Sequence, residues 1–402
     1  MRGGDLPRLK RVREGEVVIL IPDEPEPTRS VFYNPGMEIS RDIAVCCVRA
    51  YRDAEGRGGL SIAEPLAASG VRGIRYAKEV EGVREVVLGD VNPLAVKLAS
   101  MNVELNGLGG VVVVRHEEAN RLLSSRSSPS LRFDVIDIDP FGSPAPFTET
   151  SIRALRDGGL LMLTATDAPP LCGIYPSVAE RRYGARSLNV EYCHELALRI
   201  LLAHVASTAL RLDASIQPLL SYALRHHYRA CVRVRVGAAE AAQCLRNLGA
   251  LLHCFECGHR ELMGVREGRR ERCPVCGARA QVASPVWRGQ LLDRDFASKV
   301  LSEVARSNFR NRDFEEAFLR RLCEEAEAPP LYFTLDEACR RLRCPQPKIS
   351  EVLSTLKEWG FEARRTHFHP KGVKTDALVT DFLAAVRVLA KRRAGHEGGQ
   401  PD

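Results

Sequence analysis

Short apolar runs alternate with amphipathic stretches through the middle of the chain. Apolar runs at residues 60–63, 85–88, 111–115, 134–138 and 160–164 predict strands. Segments with helical apolar spacing follow four of them, at 71–80, 93–106, 146–156 and, longer, near 190–212. Asn92 before Pro93 marks a helix start, a cap followed by proline in the first turn. Strands that are apolar on both faces belong in a parallel sheet covered by helices on both sides. The last two runs, 215–224 and 229–236, are joined only by Arg225-His226-His227-Tyr228. So short a link predicts an antiparallel hairpin, because a parallel crossover needs more chain. The expected fold is α/β, a Rossmann-like doubly wound sheet with an antiparallel terminal hairpin.

The flanks differ. Residues 1–30 are charged and carry Pro22, Pro25 and Pro27, which predicts a small lead-in hairpin and a linker. Residues 238–253 look helical and lead into cysteine knuckles. From Val286 the chain turns charged and helical. Residues 334–342, 347–359 and 361–369 predict helix, helix and extended hairpin, as in a winged-helix module. The expected division is 1–245 for the sheet domain with its N-terminal extension, 246–285 for a zinc ribbon, 286–385 for a helical, winged-helix-like α+β domain, and 386–402 for a disordered tail.

With 402 residues the chain exceeds one ordinary core. A net charge of +7 favours a polyanionic partner such as nucleic acid without establishing one. The polar N-terminus lacks the apolar centre of a secretion signal, and no apolar run reaches the roughly 20 residues that span a bilayer. Of thirteen cysteines, four form paired C-x-x-C knuckles and nine are scattered. That usage suits a reducing cytoplasm and one metal site.

Three segments at strand ends carry candidate chemistry. Glu64-Pro65-Leu66-Ala67-Ala68-Ser69-Gly70-Val71-Arg72-Gly73 follows the first core strand and opens a helix. Its small residues let a cofactor approach the backbone. The dinucleotide fingerprint G-x-G-x-x-G is absent and Glu64 would repel a pyrophosphate, whereas an acid there suits the ammonium of a methionine moiety. Asp90 ends the next strand, where an acid holds ribose hydroxyls in Rossmann-type folds. Glu118-Ala119-Asn120 after the third strand is placed to meet an adenine.

The most informative segment is Asp137-Ile138-Asp139-Pro140-Phe141-Gly142-Ser143-Pro144 at the mouth of the fourth strand. Asp139 is the candidate proton acceptor, Pro140 offers a carbonyl and Phe141 a stacking face. Together they suit an exocyclic amine on a flat base, whose lone pair is delocalised into the ring until its N–H bonds are fixed. Cys254-x-x-Cys257 and Cys273-x-x-Cys276 form a tetrathiolate zinc pattern. Four protein ligands leave no open position, so such a zinc is structural. His253 and His259 flank the knuckle. Arg225, His226, His227, Arg269, Arg270, Arg272, Arg340, Arg341, Arg343, Arg364, Arg365, Lys371 and Lys374, with Trp359 and Phe368 among them, offer contacts to a phosphate backbone.

These elements together resemble the tRNA (guanine-26) N2-dimethyltransferase family over about residues 12–380. The marks are Phe32-Tyr33-Asn34-Pro35-x-Met37-Glu38-x-x-Arg41-Asp42, Leu66-Ala67-Ala68-Ser69-Gly70-Val71-Arg72-Gly73-Ile74-Arg75 and Asp139-Pro140-Phe141-Gly142-Ser143-Pro144. Further on come Thr164-Ala165-Thr166-Asp167-Ala168-Pro169-Pro170-Leu171-Cys172-Gly173 and His367-x-x-Pro370-x-Gly372-x-Lys374-Thr375-Asp376-Ala377. The resemblance implies a class I S-adenosylmethionine-dependent methyltransferase domain, a C-terminal tRNA-binding domain, and transfer of one or two methyl groups to guanine N2. It implies no obligate protein partner. By resemblance the donor contacts fall on Arg41, Arg72, Asp90, Glu118 and Ala119, the catalytic acid is Asp139, and Phe32 and Phe141 are the aromatics around the target base. Position 118 is Glu where the family usually has Asp. The zinc knuckles occur in only part of the family, so zinc rests on the cysteine spacing.

Three alternatives fit the residues less well. Adenine N6 or cytosine N4 methylation uses a similar acid-proline-aromatic grip, but the Phe141-Gly142 pair and the flanking strings argue against it. A binding protein with a vestigial sheet domain is opposed by the intact Glu64, Asp90 and Asp139. Cytosine C5 chemistry lacks its Pro-Cys nucleophile near the fourth strand.

Overall fold

A computed structural model describes residues 8–23, 31–56, 58–264 and 270–397, with side chains described to Arg392. Arg269 lies outside the described residues. The chain opens with a hairpin, β1 (Leu9–Glu14) and β2 (Val17–Pro22), and a long helix, α1 (Glu38–Glu55). Strand and helix then alternate through β3 (Leu60–Glu64), α2 (Val71–Glu79), β4 (Val83–Asp90), α3 (Pro93–Leu105), β5 (Val112–His116), α4 (Ala119–Ser124), β6 (Phe133–Ile138), α5 (Thr148–Ala154) and β7 (Leu155–Ala165). Two short helices, α6 (Ala168–Leu171) and α7 (Pro176–Tyr183), precede α8 (Cys193–Leu210) and the hairpin β8 (Ala214–Leu224) and β9 (His227–Val236).

Seven of these strands form one sheet in the order β5-β4-β3-β6-β7-β9-β8. The first five run parallel; β9 joins β7 antiparallel, with Ala165 opposite Tyr228. The order reverses at β3, so β3, β4 and β6 present their C-terminal ends to one crevice, where ligands bind in open α/β sheets. Ala63, Ile136, Leu161 and Leu163 face α8 on one side of the sheet; Ile62, Val135, Leu160 and Met162 face α1 and α10 (Arg294–Arg306) on the other. Burial on both faces is why these strands read as continuous apolar runs.

Beyond β9 come α9 (Ala238–Cys244) and a three-stranded sheet with β10 (Leu248–His253) between β11 (Arg260–Gly264) and β12 (Gln281–Trp287). This corrects the expected helix over 238–253: Ala238–Cys244 is α-helical, Leu245–Asn247 adds one 3-10 turn, and the helix ends there. Leu248–His253 is a short apolar run, and pairing on both edges makes it a strand. Then α10 and α11 (Arg312–Glu325) cover the sheet domain. The module β13 (Phe333–Thr334), α12 (Leu335–Leu342), α13 (Ile349–Glu358), β14 (Ala363–Arg365), β15 (Gly372–Thr375) and α14 (Val379–Glu397) follows, with strand order β13-β15-β14. The segment expected as a disordered tail from 386 is helix to Glu397, because Phe382, Ala385, Val386 and Leu389 pack into this module's core. Residues 398–402 lie outside the described residues.

Candidate active site

Three strand ends and the head of α2 build the crevice. Glu64, last in β3, accepts the N–H of Gly73 at 2.8 Å. A Cβ on Gly73 would lie 2.3 Å from Leu88 Cδ2 and 2.9 Å from Glu64 Oε2, so glycine permits α2 to approach β3 and β4 this closely. The loop between them is braced: Ala68 adopts a left-handed φ of 48° and donates its N–H to Asp90 at 2.9 Å. The other Asp90 oxygen accepts from the Asn92 N–H at 2.8 Å, and each oxygen retains a second lone pair.

Arg72, in the first turn of α2, reaches under the loop and donates to Asp139. It also lies 3.6 Å from Asp137 and 3.9 Å from Glu64. Asp137 is sealed in the core at the end of β6. It is gripped by Arg229 of β9 through two bonds of 2.8 and 2.7 Å and accepts the Tyr76 hydroxyl at 2.5 Å. Arg229 also donates to Thr164 at 2.7 Å. Asp137, Asp139, Thr164 and Arg229 thus share one sheet face, as the pairing of β6 to β7 and β7 to β9 requires.

The electrostatics divide these acids. Burial pushes the Asp139 carboxyl up, but the guanidiniums of Arg72 and Arg229 overcome it and hold the group at about 2. Glu64 is likewise pushed up by burial; Arg72 offsets only part of this, Asp137 and Asp139 add to it, and the group reaches about 8. The charge count explains the split. Two guanidiniums face three carboxylates, the two aspartates are neutralised, and the surplus acid keeps its proton.

Pro140 and Phe141 continue from Asp139 to the surface. Phe141 is 76% exposed. Phe32 meets it edge to face with ring centroids 4.6 Å apart. The expected site residues therefore form three adjoining groups: Glu64, Arg72 and Asp139; Asp90 with its loop; and Phe32 with Phe141. Glu118 and Ala119 stand at the head of α4, where Glu118 caps the helix with both oxygens, accepting from Asn120 and Arg121 at 2.9 Å each. Arg41 is held elsewhere, gripped by Glu14 through two bonds of 2.6 Å and lying 5.1 Å from the Tyr33 ring centroid.

The four knuckle cysteines converge, their sulfurs all within 4.8 Å of one another. Gly258 and Gly277, at φ of 83° and 74°, close the two knuckle turns. Four clustered thiols of this spacing fit a tetrahedral metal. His253 is not among them; it is hydrogen-bonded to Tyr192 at 2.9 Å. The basic positions divide. Lys374 is buried against Glu195 at 2.9 Å, Lys371 pairs with Asp336 at 2.8 Å, and Arg340 and Arg341 both bind Glu337, at 2.6 and 2.7 Å. Lys374 is therefore a structural cation rather than a phosphate contact.

Sequence reasoning missed Arg229 and Tyr76, the partners of Asp137. Arg229 opens the run 229–236, but Arg233 and Arg235 in the same run leave it looking like an ordinary strand arginine. It also missed a group made of Cys172, Cys193 and His194, whose ligand atoms lie within 4.8 Å of one another. The Tyr228 hydroxyl lies 3.0 Å from the Cys172 sulfur and 2.8 Å from His194 Nδ1, closing this group into a hydrogen-bonded network.

Over residues 15–387 the chain matches the family described as N2,N2-dimethylguanosine tRNA methyltransferase. The chain belongs to that family. The tRNA (guanine(26)-N(2))-dimethyltransferase of Methanothermobacter thermautotrophicus is 39% identical over 373 residues, 92% of this chain and 97% of the relative. Its counterpart from Methanosphaera stadtmanae is 36% identical over 389 residues, 96% of this chain and 98% of the relative. The complex of Trm1 from Pyrococcus horikoshii with S-adenosyl-L-methionine superposes with a TM-score of 0.84 at 34% identity, covering 94% of this chain and 100% of that one. The seven-stranded sheet of this N2,N2-dimethylguanosine tRNA methyltransferase family member is accordingly a class I methyltransferase domain. Among the described residues no helix is long and apolar enough to cross a membrane.

Proposed function

We propose that Asp139, Pro140, Phe141 and Phe32 hold a guanine whose N2 receives a methyl group. The chain is an S-adenosylmethionine-dependent methyltransferase acting on the N2 of guanine in tRNA, and guanine 26 is the target its relatives' names support. The observation that carries the site is the Asp139 carboxyl bonded by Arg72 beside an exposed ring at the end of β6.

S-adenosylmethionine supplies an electrophilic methyl group on a sulfonium. Asp90 is suited to the ribose hydroxyls and Glu64 to the ammonium. Glu118 and Ala119 stand where an adenine would lie, with the Glu118 side chain already engaged as a helix cap. Arg72 donates to Asp139 through Nη2 while its Nη1 has no hydrogen-bond partner among the described residues; the Arg41 guanidinium is engaged by Glu14, so its part in donor binding is electrostatic or through the backbone.

Asp139 accepts one N–H of the target amine and the Pro140 carbonyl is suited to the other. Fixing both favours lone-pair localisation on N2. A carboxylate held at about 2 is a weak base. The methylated, positively charged N2 is a far stronger acid, so Asp139 can still take its proton. The target base leaves its stack to reach the crevice, and Phe32 and Phe141 replace the lost stacking.

In this scheme residues 1–245 hold donor and target, 246–285 form a zinc ribbon on Cys254, Cys257, Cys273 and Cys276, and the module after 286 carries tRNA. Four clustered thiols and tRNA chemistry both suit the reducing cytoplasm. Labelled S-adenosylmethionine with unmodified tRNA, followed by nucleoside analysis, tests the activity. N2-methylguanosine and N2,N2-dimethylguanosine are expected, and a transcript with adenine at position 26 loses the label. Label absent from guanosine while the donor binds would overturn the assignment.

A further inference from the structure

A cleft of about 420 Å³ opens between the β8–β9 hairpin, α11 and β14. That volume falls in the range of small-ligand sites, roughly 300–1,000 Å³. Its wall carries Arg225 from the hairpin tip, Arg321 from α11 and Arg365 from β14, with His194 at one side. Among the described residues no carboxylate lines it; Glu325 lies buried behind the wall, bonded to Thr366 and His367. Phe314 and Phe318, one turn apart on α11, lie parallel in the same wall, centroids 6.2 Å apart and planes 6° from coplanar. Phe318 is anchored edge-on by Tyr222 and His367. Phe314 is 49% exposed at the rim. Arg321 pairs with Glu324 at 2.9 Å on the outer surface, a contact worth little against phosphate.

The cleft adjoins the catalytic mouth. Tyr228 lies opposite Ala165 and Leu163 opposite Ile138, so the hairpin tip emerges at the same end of the sheet as Asp139. Arg225 donates to the Gly36 carbonyl at 3.0 Å, in the segment that also bears Phe32. A ring with an open face, ringed by cations and free of acids, is the composition that takes a nucleotide: the ring stacks on any base and the guanidiniums meet the phosphates.

We propose that this cleft seats a second, unstacked nucleotide of the tRNA, near the target guanine, with its base on Phe314 and its phosphates on Arg225 and Arg365. The proposal rests on tRNA being the substrate. Extruding one base exposes its neighbours, and a seat for one of them would hold the strand open while N2 is aligned.

The test is equilibrium binding of unmodified tRNA to the full chain, measured apart from methyl transfer, with S-adenosylmethionine affinity and melting temperature as controls. Phe314→Ala should weaken tRNA roughly tenfold, and Phe314→Tyr should restore it. Arg365→Ala should lower the slope of log affinity against log salt by about one. Donor affinity should stay at the wild-type value in all three. Wild-type tRNA affinity in both Phe314→Ala and Arg365→Ala overturns the cleft. So does a loss in Phe314→Ala that Phe314→Tyr does not repair, since the aromatic face would then be irrelevant. A wild-type chain that binds tRNA through Phe314 yet methylates no guanine would overturn the activity and leave the cleft standing.

Discussion

Donor binding should expel a proton from Glu64. With its carboxyl at about 8, roughly nine molecules in ten carry this proton at pH 7. The acid is surplus because Arg72 and Arg229 are already matched by Asp137 and Asp139. Among the described residues its one backbone hydrogen bond is from Gly73. An ammonium arriving beside Glu64 supplies the missing positive charge and makes the carboxylate the favoured form. Donor binding at pH 7 should then release about 0.9 proton, and the donor Kd should fall about tenfold between pH 6 and pH 7. The donor's own amino group, with a reference pKa of roughly 8, stays charged over that window.

Titration calorimetry at pH 7 in buffers of different ionisation enthalpy counts the proton directly. Glu64→Gln should flatten the pH dependence and remove the buffer dependence while weakening the donor. The demethylated product keeps the ammonium and should release the same proton. The sign for stability is the reverse of the usual carboxylate. Because the folded value is raised, Glu64 favours the donor-free fold below about 4.5, and this contribution is lost as pH rises through about 8. A binding enthalpy identical in all buffers, with a flat Kd from pH 6 to 7, would refute the charge count.

Asp139→Asn should lower kcat by roughly 10²–10⁴ and, by freeing Arg72 toward Glu64, reduce the proton released on donor binding; wild-type turnover would remove Asp139 from the mechanism. Because Asp139 is held at about 2, it should add no acidic limb to the rate profile above about pH 4. Cys254→Ser should lose bound zinc and lower the melting temperature without changing donor affinity, and wild-type zinc content by elemental analysis would contradict the ribbon. Lys374→Met strands part of the charge on buried Glu195 and should cost about 3 kcal/mol, the low end for a broken buried pair because Arg199 still binds at 2.6 Å. Burial pushes Glu195 up, but Lys374 and Arg199 bring it to about 2, so its contribution is present above about pH 4.5 and lost as pH falls toward 2. Chemical denaturation at pH 7 and pH 3 should show a smaller penalty for Lys374→Met at the lower pH.

The sheet was legible because parallel strands buried on both faces leave apolar runs, and because the β8–β9 link is too short for a crossover. Asp139, Phe141 and the four cysteines were legible because their chemistry lies in local strings. What depends on distant partners was not. Asp137 carries no assigned role in the string 137–144, yet Arg229, 92 residues on, makes it the buried keystone beneath Asp139. Lys374 carries the same charge as its exposed neighbours, and only the approach of α8 reveals it as the partner of Glu195. Helix α1 lies outside the expected elements although Ile39, Ile43, Cys46, Cys47 and Ala50 recur at helical spacing, and it also buries Ser40, Arg41 and Asp42. In contrast, the pairs of Arg340 and Arg341 with Glu337 follow from helical spacing alone.

On the proposed roles, the two acids nearest the reacting atoms need opposite behaviour, and one cluster supplies both. The acceptor for the target amine must be an anion whenever the base arrives, since a protonated carboxyl would offer a donor to a group that itself donates. Asp139 meets this by bonding Arg72 within reach of Arg229, both guanidiniums being fixed by packing. The acid on the donor side faces a cation that comes and goes, and a permanent buried anion there would destabilise the donor-free protein. Glu64 avoids this by holding a proton until the cation arrives. Replacing Arg229 would disturb both at once: Asp137 would lose its partner and draw on Arg72, Asp139 would rise, and the surplus charge would no longer settle on Glu64 alone.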